Sequence, residues 1–130
     1  MSLNNVLKIS SSGLSAERFR MDVISANIAN ANTMKTNRKD PYRRKDVALM
    51  GGPDGVQITG LLDDQRPFRQ VVDRGNPNAD PKTGIVTYSN VEPIEEMVNM
   101  MSASRAYEAN IAAFNSAKGM IRNALQIGKI

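Results

Sequence analysis

Pro93-Ile94-Glu95-Glu96-Met97-Val98-Asn99-Met100-Met101-Ser102-Ala103-Ser104-Arg105-Ala106-Tyr107-Glu108-Ala109-Asn110 opens a stretch that runs to residue 127 without another proline, and its pattern decides the fold. Met100, Tyr107, Phe114 and Ile121 recur at a spacing of seven, and Ala103, Asn110, Ala117 and Ala124 follow them three later. Residues so spaced share one side of an α-helix, and the alanines let another helix approach closely. Met97, Ile111 and Leu125 are expected to join that packing. Proline in the first turn and two acids near the positive helix end are start signals, with Asn90 a candidate cap. Gly128 suits the exit. The pattern predicts a helix over 93–127, about 50 Å long at 1.5 Å per residue. That exceeds the usual globular length and calls for coiled-coil pairing.

The other end of the chain supplies a partner. All six prolines lie between positions 41 and 93, so the first 40 residues are free to be helical. Leu7, Leu14, Met21 and Ile28 again fall seven apart, with Leu3 and Ile24 beside them. Ile9, Ala16 and Val23 form a second series on the opposite side. A helix over 3–33 with two apolar stripes fits either a helix sandwiched in one core or a helix shared among subunits; the few remaining elements favour the second. Asn27 and Asn30 lie three apart, hence on one face, inside a run where Asn is a poor helix former. Two readings stand: polar contacts that fix register in a helix pair, or a surface helix end.

Between the ends, Val56–Thr59, Phe68–Val72 and Ile85–Tyr88 read as short strands separated by Gly/Pro-rich turns. Their apolar residues are too few for an independent core. The class is therefore α+β: two long terminal helices and a small irregular β-containing middle. The segments are 1–33, 34–90 and 91–130.

The 130 residues (14.2 kDa) contain no Cys, His or Trp. Thiolate nucleophiles, Ser-His pairs, disulfides and zinc sites with nitrogen or sulfur ligands are thereby excluded. Asp63 and Asp64 are adjacent on a strand and point apart, so they do not converge on a substrate. Gly51-Gly52-Pro53-Asp54-Gly55 lacks the Lys-Ser/Thr pair of a phosphate loop, and the acids near 73–80 lack calcium-loop spacing. The sequence predicts no enzyme and no cofactor. Net charge is a mild +4, concentrated in the run from Lys35 to Lys45. With no nucleic-acid motif beside it, that run reads as a protein contact, with Arg43, Arg44 and Lys45 available for charge contacts between subunits. No apolar run is long enough to span a membrane, and residues 1–8 do not read as a cleaved secretory signal.

Ser12-Gly13-Leu14-Ser15-Ala16 followed by Asp22-Val23-Ile24-Ser25-Ala26-Asn27-Ile28-Ala29-Asn30-Ala31-Asn32-Thr33 resembles the N-terminal signature of the flagellar rod and hook axial proteins. The stretch from Asn90 to Asn110 resembles the C-terminal signature of their proximal rod members, as do Pro41–Lys45 and Gly75–Pro81. Asn76, Ile85 and Ser89 depart from that pattern, all in the middle segment. The resemblance implies a structural subunit of the bacterial flagellar basal body, carried out by the flagellar export apparatus without a cleaved signal. It implies an antiparallel pairing of the end helices in a periplasmic rod, built with copies of the chain and other rod proteins. Nucleic acid and membrane insertion have no part in it. A cytosolic coiled-coil adaptor binding one partner helix is the alternative.

Overall fold

The computed structural model describes residues 2–129. Helix α1 spans Leu3–Ala29 and helix α2 spans Pro93–Ile127. Between them come strands β1 (Lys45–Gly52), β2 (Gly55–Asp63), β3 (Arg69–Val72) and β4 (Ile85–Tyr88). The α+β class and both terminal helices are as the sequence predicts.

α2 has the expected bounds. Its first helical bond runs from the Glu96 amide to the Glu92 carbonyl, so Asn90 is not its cap. α1 is held at its start by Ser2, whose hydroxyl accepts from the Asn5 amide. It stops at Ala29, short of the expected 33; the Asn30 amide and side chain both donate to the Ala26 carbonyl. Tight turns through Ala31 and Thr33 then replace the helix. The helices run antiparallel: Gly13 of α1 faces Asn110 of α2, and further along α1 Asn27 reaches back to Glu96 near the start of α2.

The strands form two separate two-stranded sheets, β1–β2 and β3–β4. β3 and β4 pair antiparallel, with Arg69 opposite Tyr88 and Val72 opposite Ile85. The other edge of β4 is taken by residues 33–35: Lys35 donates to the Thr87 carbonyl and the Ser89 amide to the Thr33 carbonyl. β1 is a strand that the sequence did not announce, paired with β2 across a turn at Pro53 and Asp54.

Two compact units divide the chain, and each draws on both helices and the middle segment. One takes α1 up to Met21, Val47–Gly60 and α2 from Met101. Here the Ser12 hydroxyl donates to the Ile9 carbonyl and accepts from the Val56 amide at 3.0 Å, seating the start of β2 on α1. Gly55 beside it has φ 116°, and a Cβ there would lie 2.1 Å from the Ser12 hydroxyl, so glycine is required on both counts. The other unit takes Asp22–Asp46 and Leu61–Met100. Its apolar core is small: Ile24, Ala31, Val86 and Val91. Its buried polar residues are Asn27, Arg44, Ser89, Asn90 and Glu96.

Candidate functional site

Four of those buried polar residues, Asn27, Arg44, Asn90 and Glu96, form one connected cluster. Glu96 has no exposed surface and lies seven residues before Ala103 on the inward side of α2. Its carboxylate accepts from Arg44 Nε on one oxygen and from Asn27 Nδ2, at 3.2 Å, on the other. Asn27, also fully buried, uses its whole side-chain amide. Nδ2 donates to the Lys45 carbonyl at 2.9 Å, and Oδ1 accepts from the Lys45 amide at 3.1 Å and the Tyr42 hydroxyl at 2.8 Å. It thus bonds the Lys45 peptide groups much as a neighbouring strand would, fixing where β1 begins.

Asn90 holds the adjacent backbone. Its Oδ1 accepts from the Arg44 amide at 2.7 Å, and its Nδ2 donates to the Asp64 and Arg66 carbonyls, both at 3.0 Å. The Asp64 amide in turn donates to the Arg44 carbonyl. Both ends of the β1–β2 hairpin are therefore gripped by side chains from α1, from α2 and from the turn before it. Every buried side-chain nitrogen or oxygen among the described residues has a partner, as a low-dielectric interior demands.

The charges follow that geometry. Burial works against the Arg44 cation, but the hydrogen bond and charge of Glu96, helped by Asp46 and Glu95, outweigh it and raise the Arg44 pKa. The Arg66 hydrogen bond holds the Asp64 carboxyl below its ordinary value of 3.8, against some desolvation. Asp64 and Glu95 together raise Arg66. Burial pushes the Tyr42 phenol up, partly offset by Lys45.

The three basic residues expected to make charge contacts between subunits all have partners inside this chain. Arg44 is buried against Glu96. Arg43 stacks over Phe68, 4.3 Å from the ring centre, and donates to the Asp64 and Arg66 carbonyls. Lys45 pairs with Asp63.

The expected packing residues divide by depth. Ile24 and Asn27 are buried; Leu7, Leu14, Met21, Ile28, Met100, Tyr107, Phe114 and Ile121 are half-buried. The deepest positions on α2 are Glu96, Ala103 and Ala117, one step around from the large heptad residues. Asn30 is half-buried and serves its own helix end. Leu3, Met97, Ile111 and Leu125 lie on the outside. Met97 belongs to an uncovered apolar face over the first turns of α2, with Ile94 (79% exposed), Val98 and Met101. Leu125 and Ile127 continue the exposed apolar surface near the helix end.

Among the described residues no three acids converge as metal ligands. An open groove of about 650 Å³ beside β4 has Lys35 as its single base and Asp80 as its single acid. Sequence reasoning missed Tyr42, Asn90 and Glu96. For Glu96 the signal was present in its heptad spacing to Ala103; for Tyr42 and Asn90 there was none.

Buried polar ties between paired terminal helices and a short β segment, with apolar residues left outside, describe a building block. Comparison with known proteins says of what kind. Residues 7–34 match the family described as flagella basal body rod protein, and residues 82–127 match the flagellar basal body rod FlgEFG protein C-terminal family. The chain belongs to the flagellar basal-body rod protein family. Relatives similar to it from end to end carry the name flagellar basal-body rod protein FlgC. The Bacillus subtilis protein is 39% identical over 95% of this chain and 96% of its own length. The Yersinia enterocolitica protein is 40% identical over 99% and 100%, and that of Borreliella burgdorferi 38% over 98% of each.

Proposed function

We infer that the chain is a structural subunit of the bacterial flagellar basal-body rod, assembling through its terminal helices with copies of itself and with other rod proteins. One observation supports this beyond family membership: α2 leaves Ile94, Met97, Val98 and Met101 uncovered, while polar side chains occupy the interior. Such a contiguous apolar face marks a contact surface. The subunit works by shape and packing rather than catalysis. It reaches the periplasmic part of the basal body through the flagellar export apparatus. The in-chain partners of Arg43, Arg44 and Lys45 support a structural use of the basic run over nucleic-acid binding.

The test is Met97→Asp with Met101→Asp as the only copy in a flagellated bacterium. Both residues are exposed, so the fold survives, and a charge forced into an apolar contact should abolish assembly. The expected result is a folded chain, no rods and no swimming. Normal rods carrying the variant chain would refute the assignment of this face.

A further inference from the structure

Most of the contacts that hold the hairpin base are not contacts between the helices; of them, the Asn27–Glu96 hydrogen bond alone joins α1 to α2. We propose that Glu96, Arg44 and Asn27 form a latch: closed, it docks the base of the β1–β2 hairpin on the two helices; open, it frees that base while the helices stay paired. This concerns coupling within the chain and stands apart from the rod assignment.

Three observations carry it. First, side chains from elsewhere hold one strand end, the Lys45 amide by Asn27 and the Arg44 amide by Asn90, and a backbone bond from the Asp64 amide to the Arg44 carbonyl ties the other end to it. Second, the latch has a buried charged centre. Glu96 is wholly buried, and Arg44 is its cationic partner. Removing the Glu96 charge leaves the buried Arg44 cation with only its longer pairs to Asp64 and Asp46, so the buried balance of charge is lost at that point. Third, the rest of the helix pairing lies at other positions. Ala103 and Ala117 are buried further along α2, and Gly13 meets Asn110. The start of β2 has a separate tether, the Ser12 hydroxyl on the Val56 amide. Opening the latch therefore costs local contacts, the condition for a sub-global opening rather than full unfolding.

Glu96→Gln is the direct perturbation. Glu96 accepts on both oxygens, from Arg44 and from Asn27. An amide of the same shape has one acceptor oxygen and no charge, so it must drop one bond and leave Arg44 with only its longer ion pairs to Asp64 (3.4 Å) and Asp46 (3.8 Å). Amide hydrogen exchange on the full chain, read by NMR, follows each part separately. Protection of the Arg44, Lys45 and Asp64 amides should fall by tenfold or more. The Val56 amide and those of α2 from Ala103 to Ala117 should stay within about threefold. Should Glu96→Gln not fold, Tyr42→Phe removes only the hydroxyl donated to Asn27. It should lower the same three amides by roughly three- to tenfold, the loss of one hydrogen bond. Unchanged protection at those amides in the folded variant overturns the proposal. So does an equal loss across Val56 and α2, which means that the chain opens as one body and has no latch.

Discussion

Replacing Asn27 tests the cluster most sharply, because two substitutions of opposite apparent severity should rank the wrong way round. Asn27→Ala strands the Tyr42 hydroxyl, both Lys45 peptide groups and one side of Glu96. A buried polar group left unmade costs about 1–3 kcal/mol, and water entering the vacated space recovers part of it, so a loss of about 2–4 kcal/mol is expected. Asn27→Asp keeps the shape and the two accepted bonds. It turns the donor nitrogen into an oxygen facing the Lys45 carbonyl at 2.9 Å and the Glu96 carboxylate at 3.2 Å. Like charges that close repel by about 4 kcal/mol at an effective dielectric constant of 20, before the lost donor is counted. The isosteric change should therefore be worse than the truncation at pH 7, by about 1–2 kcal/mol after Arg44 relieves some of the repulsion. The pH dependence has a definite sign. Burial and the Glu96 charge raise the introduced carboxyl's pKa in the folded state, so the penalty is fully present above that pKa and fades as pH falls and the group protonates. Urea denaturation followed by far-UV circular dichroism, at about pH 7 and about pH 4.5, reads both effects. A variant with aspartate at this position that matches or exceeds the alanine variant in stability at neutral pH would refute the assigned hydrogen-bond directions.

Two further outcomes follow from single contacts. A Cβ at Gly13 would lie 2.9 Å from Asn110 Nδ2, so Gly13→Ala should gain about 1 kcal/mol of helix propensity but lose about 1–3 to crowding; adding Asn110→Ala should leave the gain uncovered, and a double-mutant cycle with no coupling would count against the close helix approach. The depressed Asp64 pKa means that its contribution is present above about pH 4 and lost as pH falls through the lowered value; Asp64→Asn should flatten the acid limb of stability there, and parallel urea midpoints from pH 5 to 2 would contradict it.

What was legible in the sequence was what is set locally. The bounds of α2 follow from Pro93, the two acids after it and Gly128, all within a turn of the ends they mark. The end of α1 was harder, since Asn30 sits on the same face as Asn27 and the apolar pattern runs on while the backbone passes into tight turns through Ala31 and Thr33. The two asparagines thus divide the two readings between them: Asn27 is the buried polar contact and Asn30 the helix end. β1 was hidden because Lys45-Asp46 looks like the tail of a charge run; its pairing with β2 and the grip of Asn27 on Lys45 are contacts between distant parts of the chain. Arg44 is the clearest case. Of three neighbouring basic residues it alone is buried, and the reason is Glu96, 52 residues away. Glu96 was read as a first-turn charge, a sound local reading that says nothing of which way the side chain faces.

The distribution of polar and apolar groups explains why such a chain suits assembly. Ser10, Asn27, Arg44, Ser89, Asn90 and Glu96 are inside, while Ile94, Met97, Val98, Met101, Leu125 and Ile127 are outside. Full burial of one large apolar side chain is worth about 1.5–3 kcal/mol, so six left mostly in water forgo on the order of 10 kcal/mol. That is comparable to the whole stability of an ordinary domain. A chain optimised to be stable alone would not spend its surface that way. The buried network supplies what the small apolar core cannot: directional bonds that fix one conformation of the hairpin base against the helices, at little net gain in stability. In the proposed rod subunit the division of labour is then physical. Polar bonds inside set the shape each copy presents, and the apolar energy is held back until a neighbour covers α2.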